Sequence, residues 1–215
     1  MRARLAALLL LVAPPAAADA QKPQPDAATL ARYDAWQRAA AAAVKLDWLL
    51  AKAVRIKESF NDAGYVSTTG AVGLMQLMPT SGGRMFLSRN YHRFVQARAR
   101  REPSARWAAA YRRDLERLRD SLPLERLVQH DRRFDPRWNL ERGTRHLAGE
   151  LARFVRLYPR AGKAAHRRMT LAAYYAGAGR VRYRRGEVIV PSYVTPYVED
   201  VLVVYGRLCA GLPGR

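Results

Sequence analysis

The sequence predicts a mostly α-helical fold in a single domain, and three observations point there. Apolar residues recur at helical spacing through most of its 215 residues. Capping residues stand at several of the places where those patterns begin. Alternating strand patterns are nearly absent, with Glu187 to Val190 as the one short candidate, and no internal repeat is present.

In order, residues 1–20 read as a secretory signal peptide. Arg2 and Arg4 give a basic start, and Leu5 to Val12 form an apolar run too short to span a bilayer. Pro14 and Pro15 break that run, and Ala18-Asp19-Ala20 places cleavage near Ala20-Gln21. Export to the periplasm or beyond is the expectation, with no transmembrane segment after cleavage. Removing residues 1–20 leaves 195, a size suited to one core. The remainder divides into an N-terminal helical extension over 21–45 and the main domain over 46–210.

Leu30, Tyr33, Trp36, Ala40 and Val44 mark a helix over 27–44. Asp47 is a fitting N-cap for a second helix that carries Leu49, Leu50, Ala53 and Val54, with Gly64 as its end. Residues 64–73, rich in Gly, Ser and Thr, read as loop. Further helices are expected from about Leu140 to Leu157 and around Thr170 to Ala176. A last one has Thr195 as N-cap, Pro196 at its first position, and Val198, Val201, Leu202 and Tyr205 on one face. Gly177-Ala178-Gly179 reads as a turn after a helix. Cys209, the single cysteine, excludes an internal disulfide and reads as a buried thiol.

The formal charge is +20, and losing Arg2, Arg4 and Asp19 with the signal peptide makes it +19. Residues 84–133 hold fourteen Arg, no Lys and six acidic residues. Trp107, Tyr111, Leu115, Leu118 and Leu122 recur there at helical spacing, so one or two amphipathic helices are expected. Such a surplus suits polyanions: nucleic acid, anionic lipid or a carboxylate-bearing wall polymer. Export argues against nucleic acid as a partner. A solvated Arg face and an Arg-favouring genome account for the charge equally well.

Glu58 ends an apolar helix, flanked by Ile56 and Phe60. Apolar surroundings and a helix C-terminus both raise a carboxyl's pKa, as a proton donor to a glycosidic oxygen requires. The second carboxylate of the usual glycosidase pair is missing. Asp62 reads as a helix-end cap, and Glu199 and Asp200 fall on a distant helix. One carboxylate suffices where the substrate's N-acetyl group supplies the stabilisation. No metal or other cofactor is implied: His92, His130, His146 and His166 lack ligand spacing and read as exposed residues.

Four blocks occur in order: Glu58-Ser59-Phe60 with Ser67 and Gly70-Ala71-Val72-Gly73-Leu74-Met75-Gln76-Leu77-Met78-Pro79; Phe134-Asp135-Pro136-Arg137-Trp138-Asn139-Leu140 with Gly143 and Leu147; Leu171-Ala172-Ala173-Tyr174-Tyr175-Ala176-Gly177-Ala178-Gly179-Arg180-Val181; and Pro191, Thr195, Tyr197-Val198, Val201 and Tyr205. Spanning roughly residues 46–208, the set resembles the soluble-type (family 1, SLT-domain) peptidoglycan lytic transglycosylases. The resemblance implies a lysozyme-like domain that cleaves the β-1,4 bond between MurNAc and GlcNAc without water. Glu58 would be acid and then base, leaving 1,6-anhydro-MurNAc ends. It implies that Ser67 and Gln76 contact the N-acetyl group and sugar, that Met78 lines the cleft, and that the Tyr174 hydroxyl lies near the carboxyl. Turn capping for Ser67, a solvated amide for Gln76 and core packing for Met78 and Tyr174 stand beside those roles.

Two positions depart from the family pattern. Tyr175, a further candidate substrate-binding residue, stands where Asn is usual, and Val194 where Glu usually precedes the Thr. Residues 82–133 exceed the corresponding family segment and read as an Arg-rich helical insertion. The partners implied are peptidoglycan glycan strands and an envelope-spanning secretion or motility apparatus. The rival readings are a hydrolytic muramidase, a non-catalytic cationic wall-binding protein and a cationic effector of anionic membranes.

Overall fold

The structure, a computed structural model, describes residues 26–81 and 83–212; the signal peptide expected over 1–20 and its cleavage point lie outside them. The described residues are mostly helical: α1 (Ala27–Ala31), α2 (Asp34–Ala43), α3 (Trp48–Ser59), α4 (Arg89–Ala99), α5 (Ala105–Ser121), α6 (Leu124–His130), α7 (Pro136–Leu157), α8 (Lys163–Ala176) and α9 (Thr195–Cys209). The strand pattern at Glu187 becomes β2 (Glu187–Ile189), paired antiparallel with β1 (Arg182–Arg184) in a two-stranded hairpin. No helix among the described residues is long and apolar enough to cross a membrane.

Four of the nine helices described start where a side chain caps free backbone N–H groups. Asp47 accepts from Leu49 N at 2.9 Å to open α3. Asp135 does the same for α7, accepting from Arg137 N and Trp138 N, with Pro136 at the first position. That cap is why α7 begins at Pro136 rather than near Leu140. The helix expected at Thr170 starts earlier too, at Lys163. At the last helix, Thr195 is already helical and follows a tight 3-10 turn over Ser192–Val194, so Val194 rather than Thr195 occupies the capping position.

Helix α3 stops at Ser59, not Gly64. Phe60 and Asn61 follow it with φ of 51° and 68°, in the left-handed region that costs an L-residue about 1 kcal/mol or more. The turn is held by two bonds. Phe60 N donates to Ile56 O at 2.9 Å, and the buried Asn61 amide donates to Thr29 O near α1. The sharp exit leaves Glu58 in the final helical turn.

The pattern expected as one helix over 27–44 is two, broken at Arg32 and Tyr33, and both share the main core. Leu30, Tyr33 and Ala41 lie in one apolar cluster with Leu50, Val54, Met75, Leu147, Phe154, Leu171 and Val201. Buried polar groups tie the same helices down. Arg55 donates to Asp34 Oδ1 at 2.7 Å and to Leu30 O at 2.9 Å, and Gln37 donates to Thr144 Oγ1 at 2.8 Å. Residues 84–133 form three helices rather than one or two. Tyr111, Leu115 and Leu127 from them close a second, smaller cluster with Val66, Val72 and Phe134. The Arg-rich segment therefore packs its apolar side against the back of the loop that follows α3. Cys209 is exposed, contrary to the buried reading, because it falls in the last turn of α9 beyond that helix's final buried residue, Val204.

Candidate active site

Helices α3 and α9 run side by side in opposite directions, tied at both ends. At the start of α3, Tyr205 OH donates to Asp47 Oδ2 at 2.6 Å. At its end, Lys57 pairs with Asp200 at 2.5 Å, and Tyr197 OH donates to Glu58 Oε1 at 2.6 Å. This register delivers the Tyr197 hydroxyl to the Glu58 carboxyl.

Glu58 is half-buried as a residue. Loss of solvent around its carboxyl pushes the pKa from 4.5 up to about 7, against the lowering by the Tyr197 hydrogen bond and the Lys57 charge. The group is thus divided between its acid and its base near neutrality. The other carboxylates considered from sequence are engaged elsewhere: Asp62 accepts from Gly64 N at 2.8 Å, Asp200 pairs with Lys57 and Glu199 pairs with Arg168.

Three tyrosines surround the acid. Tyr175 stacks on Tyr197, ring centroids 4.3 Å apart and planes 14° from parallel, and it is buried. Tyr174 sends its hydroxyl to Met75 O at 2.6 Å rather than to Glu58, and packs against His146 at 5.3 Å. Burial and the Glu58 charge raise all three phenols, Tyr175 to about 12 and Tyr174 and Tyr197 well above their usual value. Tyr174 and Tyr197 act as neutral hydrogen-bond donors. In the sequence Tyr197 stands out only as part of a block; its place in the first turn of α9 is what aims it at the acid.

The loop over 64–78 carries the other candidates. Ser67 Oγ accepts from Ala71 N at 3.0 Å and Thr69 N at 3.3 Å, so its hydroxyl caps the turn. Gln76 is left-handed with φ 47°, and its amide donates to Gly73 O at 2.9 Å and Tyr65 O at 3.2 Å. Both of these bonds use the amide nitrogen. Met78 is half-buried and outside both apolar clusters; Met75 takes the core place. Two glycines are required here. Gly70 and Gly73 both have φ of 81°, and a Cβ on them would meet the Tyr111 ring at 2.5 Å and Asn139 Nδ2 at 2.4 Å.

A buried polar strut fixes this loop, and neither of its central members was singled out for the role from sequence. Arg133 is fully buried and paired with Asp131 at 2.6 Å. It donates to Gly70 O at 2.8 Å, Leu77 O at 3.2 Å and Tyr111 OH at 2.9 Å. Asn139 accepts from Met75 N at 2.7 Å and donates to Val72 O at 2.9 Å. Loop, Arg-rich segment and α7 are thereby locked together. The many other arginines around it hide such a residue in the sequence.

Val194, which stands where the family pattern has Glu, is fully buried in the main core, so here that position supplies packing. One sequence expectation is corrected. His166 is buried, its Nε2 3.0 Å from Tyr158 O, and not exposed. A separate cavity of about 600 Å³, lined by Arg168, Tyr183, Val190 and Glu199 among others, contains none of the candidate residues.

Fold and site together define a helical domain with one desolvated acid held by tyrosines beside a rigid, glycine-dependent loop. Residues 35–118 match the family model described as the transglycosylase SLT domain. The match covers less than half of the chain; the SLT domain is lysozyme-like, and enzymes that carry it act on peptidoglycan by lytic transglycosylation, outside the cytoplasm. No curated protein matches the chain.

Proposed function

We propose that this chain is an exported lytic transglycosylase with Glu58 as its single acid and base. The Tyr197 hydrogen bond to Glu58 Oε1, with the acid poised near neutrality, carries the reading. Tyr197 occupies one carboxyl oxygen and leaves Oε2 to hold the proton. Glu58 gives that proton to the oxygen between MurNAc and GlcNAc as the bond to C1 breaks. The N-acetyl carbonyl of the same sugar stabilises C1. The MurNAc C6 hydroxyl then attacks C1 and returns its proton to Glu58. A 1,6-anhydro ring closes, water is not consumed, and the acid is regenerated.

Around that step, Gln76 offers its amide oxygen to the N-acetyl N–H. Met78 supplies an apolar edge to the sugar, and Tyr174 holds the Met75 carbonyl so that the loop keeps its position. Ser67 shapes the turn that presents them. Tyr175 serves substrate binding indirectly, by holding the Tyr197 ring. The signal peptide over 1–20 would deliver the domain to the wall, and an envelope-spanning secretion or motility apparatus is its further partner.

Glu58→Gln keeps the shape of the site and removes the titrating group. Release of soluble muropeptides from purified sacculi falls at least a thousandfold in that variant, while pelleting with sacculi persists. Equal release by wild type and variant overturns the assignment.

A further inference from the structure

We propose that the α4–α5 hairpin is a second contact surface, outside the cleft, that grips peptidoglycan through the carboxylates of its peptide stems. The Trp107 ring lies between two guanidinium groups, with Arg93 Cζ at 4.8 Å and Arg106 Cζ at 4.5 Å from its centroid. A cation held over an aromatic ring keeps its N–H groups available, and a guanidinium can receive a carboxylate two bonds at a time. Arg100 and Arg101, in the link between the helices, are exposed beside them.

Of the six acids between residues 84 and 133, Glu102, next to Arg101 in the link, and Glu125 are exposed, and the other four are held in ion pairs. Asp114, Glu116, Asp120 and Asp131 are already paired, with Arg117, Arg112, Arg119 and Arg133. Among the described residues, Arg93 and Arg106 meet no carboxylate within ion-pair distance. The surface also adjoins the site. Tyr111 touches Gly70 of the loop, and Trp107 stands one turn away along α5, about 6 Å.

The composition of the face favours a carboxylate polymer over a lipid surface. Between residues 88 and 123 no large apolar side chain is exposed, and the one aromatic on that face is covered by arginines. A membrane-seated helix needs an exposed apolar face to bury.

The partner's identity rests on the peptidoglycan-cleaving reading, whereas the test reads binding alone. Wild type and an Arg93→Gln/Arg100→Gln/Arg101→Gln/Arg106→Gln variant are pelleted at low salt with three probes: native sacculi, sacculi whose stem carboxyls have been amidated, and phosphatidylglycerol vesicles. The variant binds native sacculi roughly tenfold more weakly, the sum of four modest ionic contacts. Wild type drops to the same level on amidated sacculi, and neither protein pellets with vesicles. The amidation arm uses the wild-type chain and so reads the proposal however the variant folds. Wild-type binding that survives amidation overturns it, as does equal binding of the variant to native sacculi. Arg-dependent pelleting with vesicles instead assigns the face to a lipid surface. If binding follows the carboxylates while no turnover is found, the Glu58 assignment falls and this one stands.

Discussion

Tyr197 donates its hydroxyl to Glu58 Oε1 at 2.6 Å, joining two residues 139 positions apart in sequence. The bond favours the ionised carboxyl, while loss of solvent disfavours it more strongly. The balance between those effects sets the pH at which Glu58 can both give and take a proton.

Removing the bond therefore moves the acid in a known direction. In Tyr197→Phe the Glu58 pKa rises further above 7, by roughly one unit, since a hydrogen bond to a charged group contributes about 1.5–3 kcal/mol and part is recovered from water. The basic limb of the pH–activity profile shifts upward with it. An unchanged or lowered limb contradicts the assignment of Tyr197.

Tyr175 supports the same phenol through its ring. Tyr175→Asn removes a buried aromatic stacked at 4.3 Å, and should cost about 2–4 kcal/mol in denaturant unfolding. Although Asn is the residue usual at this position in the family it resembles, here it leaves Tyr197 unsupported. Wild-type stability in the variant would show that the stack is incidental.

Much of this was legible beforehand, and the reasons for the rest are local. Asp47 as a cap, the helical spacing of Tyr111 and Leu115, and Glu58 in a last turn all follow from patterns within a few residues. The end of α3 did not, because Phe60 and Asn61 adopt left-handed backbone only through a contact with Thr29, thirty-two positions before Asn61. Trp107 fits a core pattern by spacing, yet its cover is two arginines rather than apolar side chains. The bond from the Tyr174 hydroxyl to Met75 O joins residues 99 positions apart, which no short-range pattern shows. Side-chain direction across helices is what short-range patterns leave open.

The Arg133 strut predicts a large and specific loss. Arg133→Met leaves Asp131 charged and unpaired in the interior, which costs about 3–5 kcal/mol. Arg133→Lys should recover little, because one ammonium cannot reach Asp131, Gly70 O, Leu77 O and Tyr111 OH together. Chemical denaturation of both variants checks this; full recovery by lysine would show that charge alone matters.

Glu58 also links stability to pH. Its folded pKa is raised from 4.5 to about 7, so the folded state binds the proton more tightly than the unfolded chain. The stability tied to that proton is complete below pH 4.5 and is lost as pH rises through 7. Replacing Glu58 by Gln removes the loss. The variant should match wild type near pH 4 and exceed it at pH 8 by about 1–3 kcal/mol, allowing for partial exposure of the residue. A wild type that gains on the variant as pH rises contradicts a desolvated acid.

The central claim is that one glutamate cleaves the glycan and closes an anhydro ring. Mass analysis of the muropeptides released from purified sacculi, for wild type and Glu58→Gln in parallel, tests it most directly. The prediction is 1,6-anhydro-muramoyl ends from wild type and no release from the variant. Reducing muramoyl ends from wild type would mean that water completes the reaction and would contradict the account.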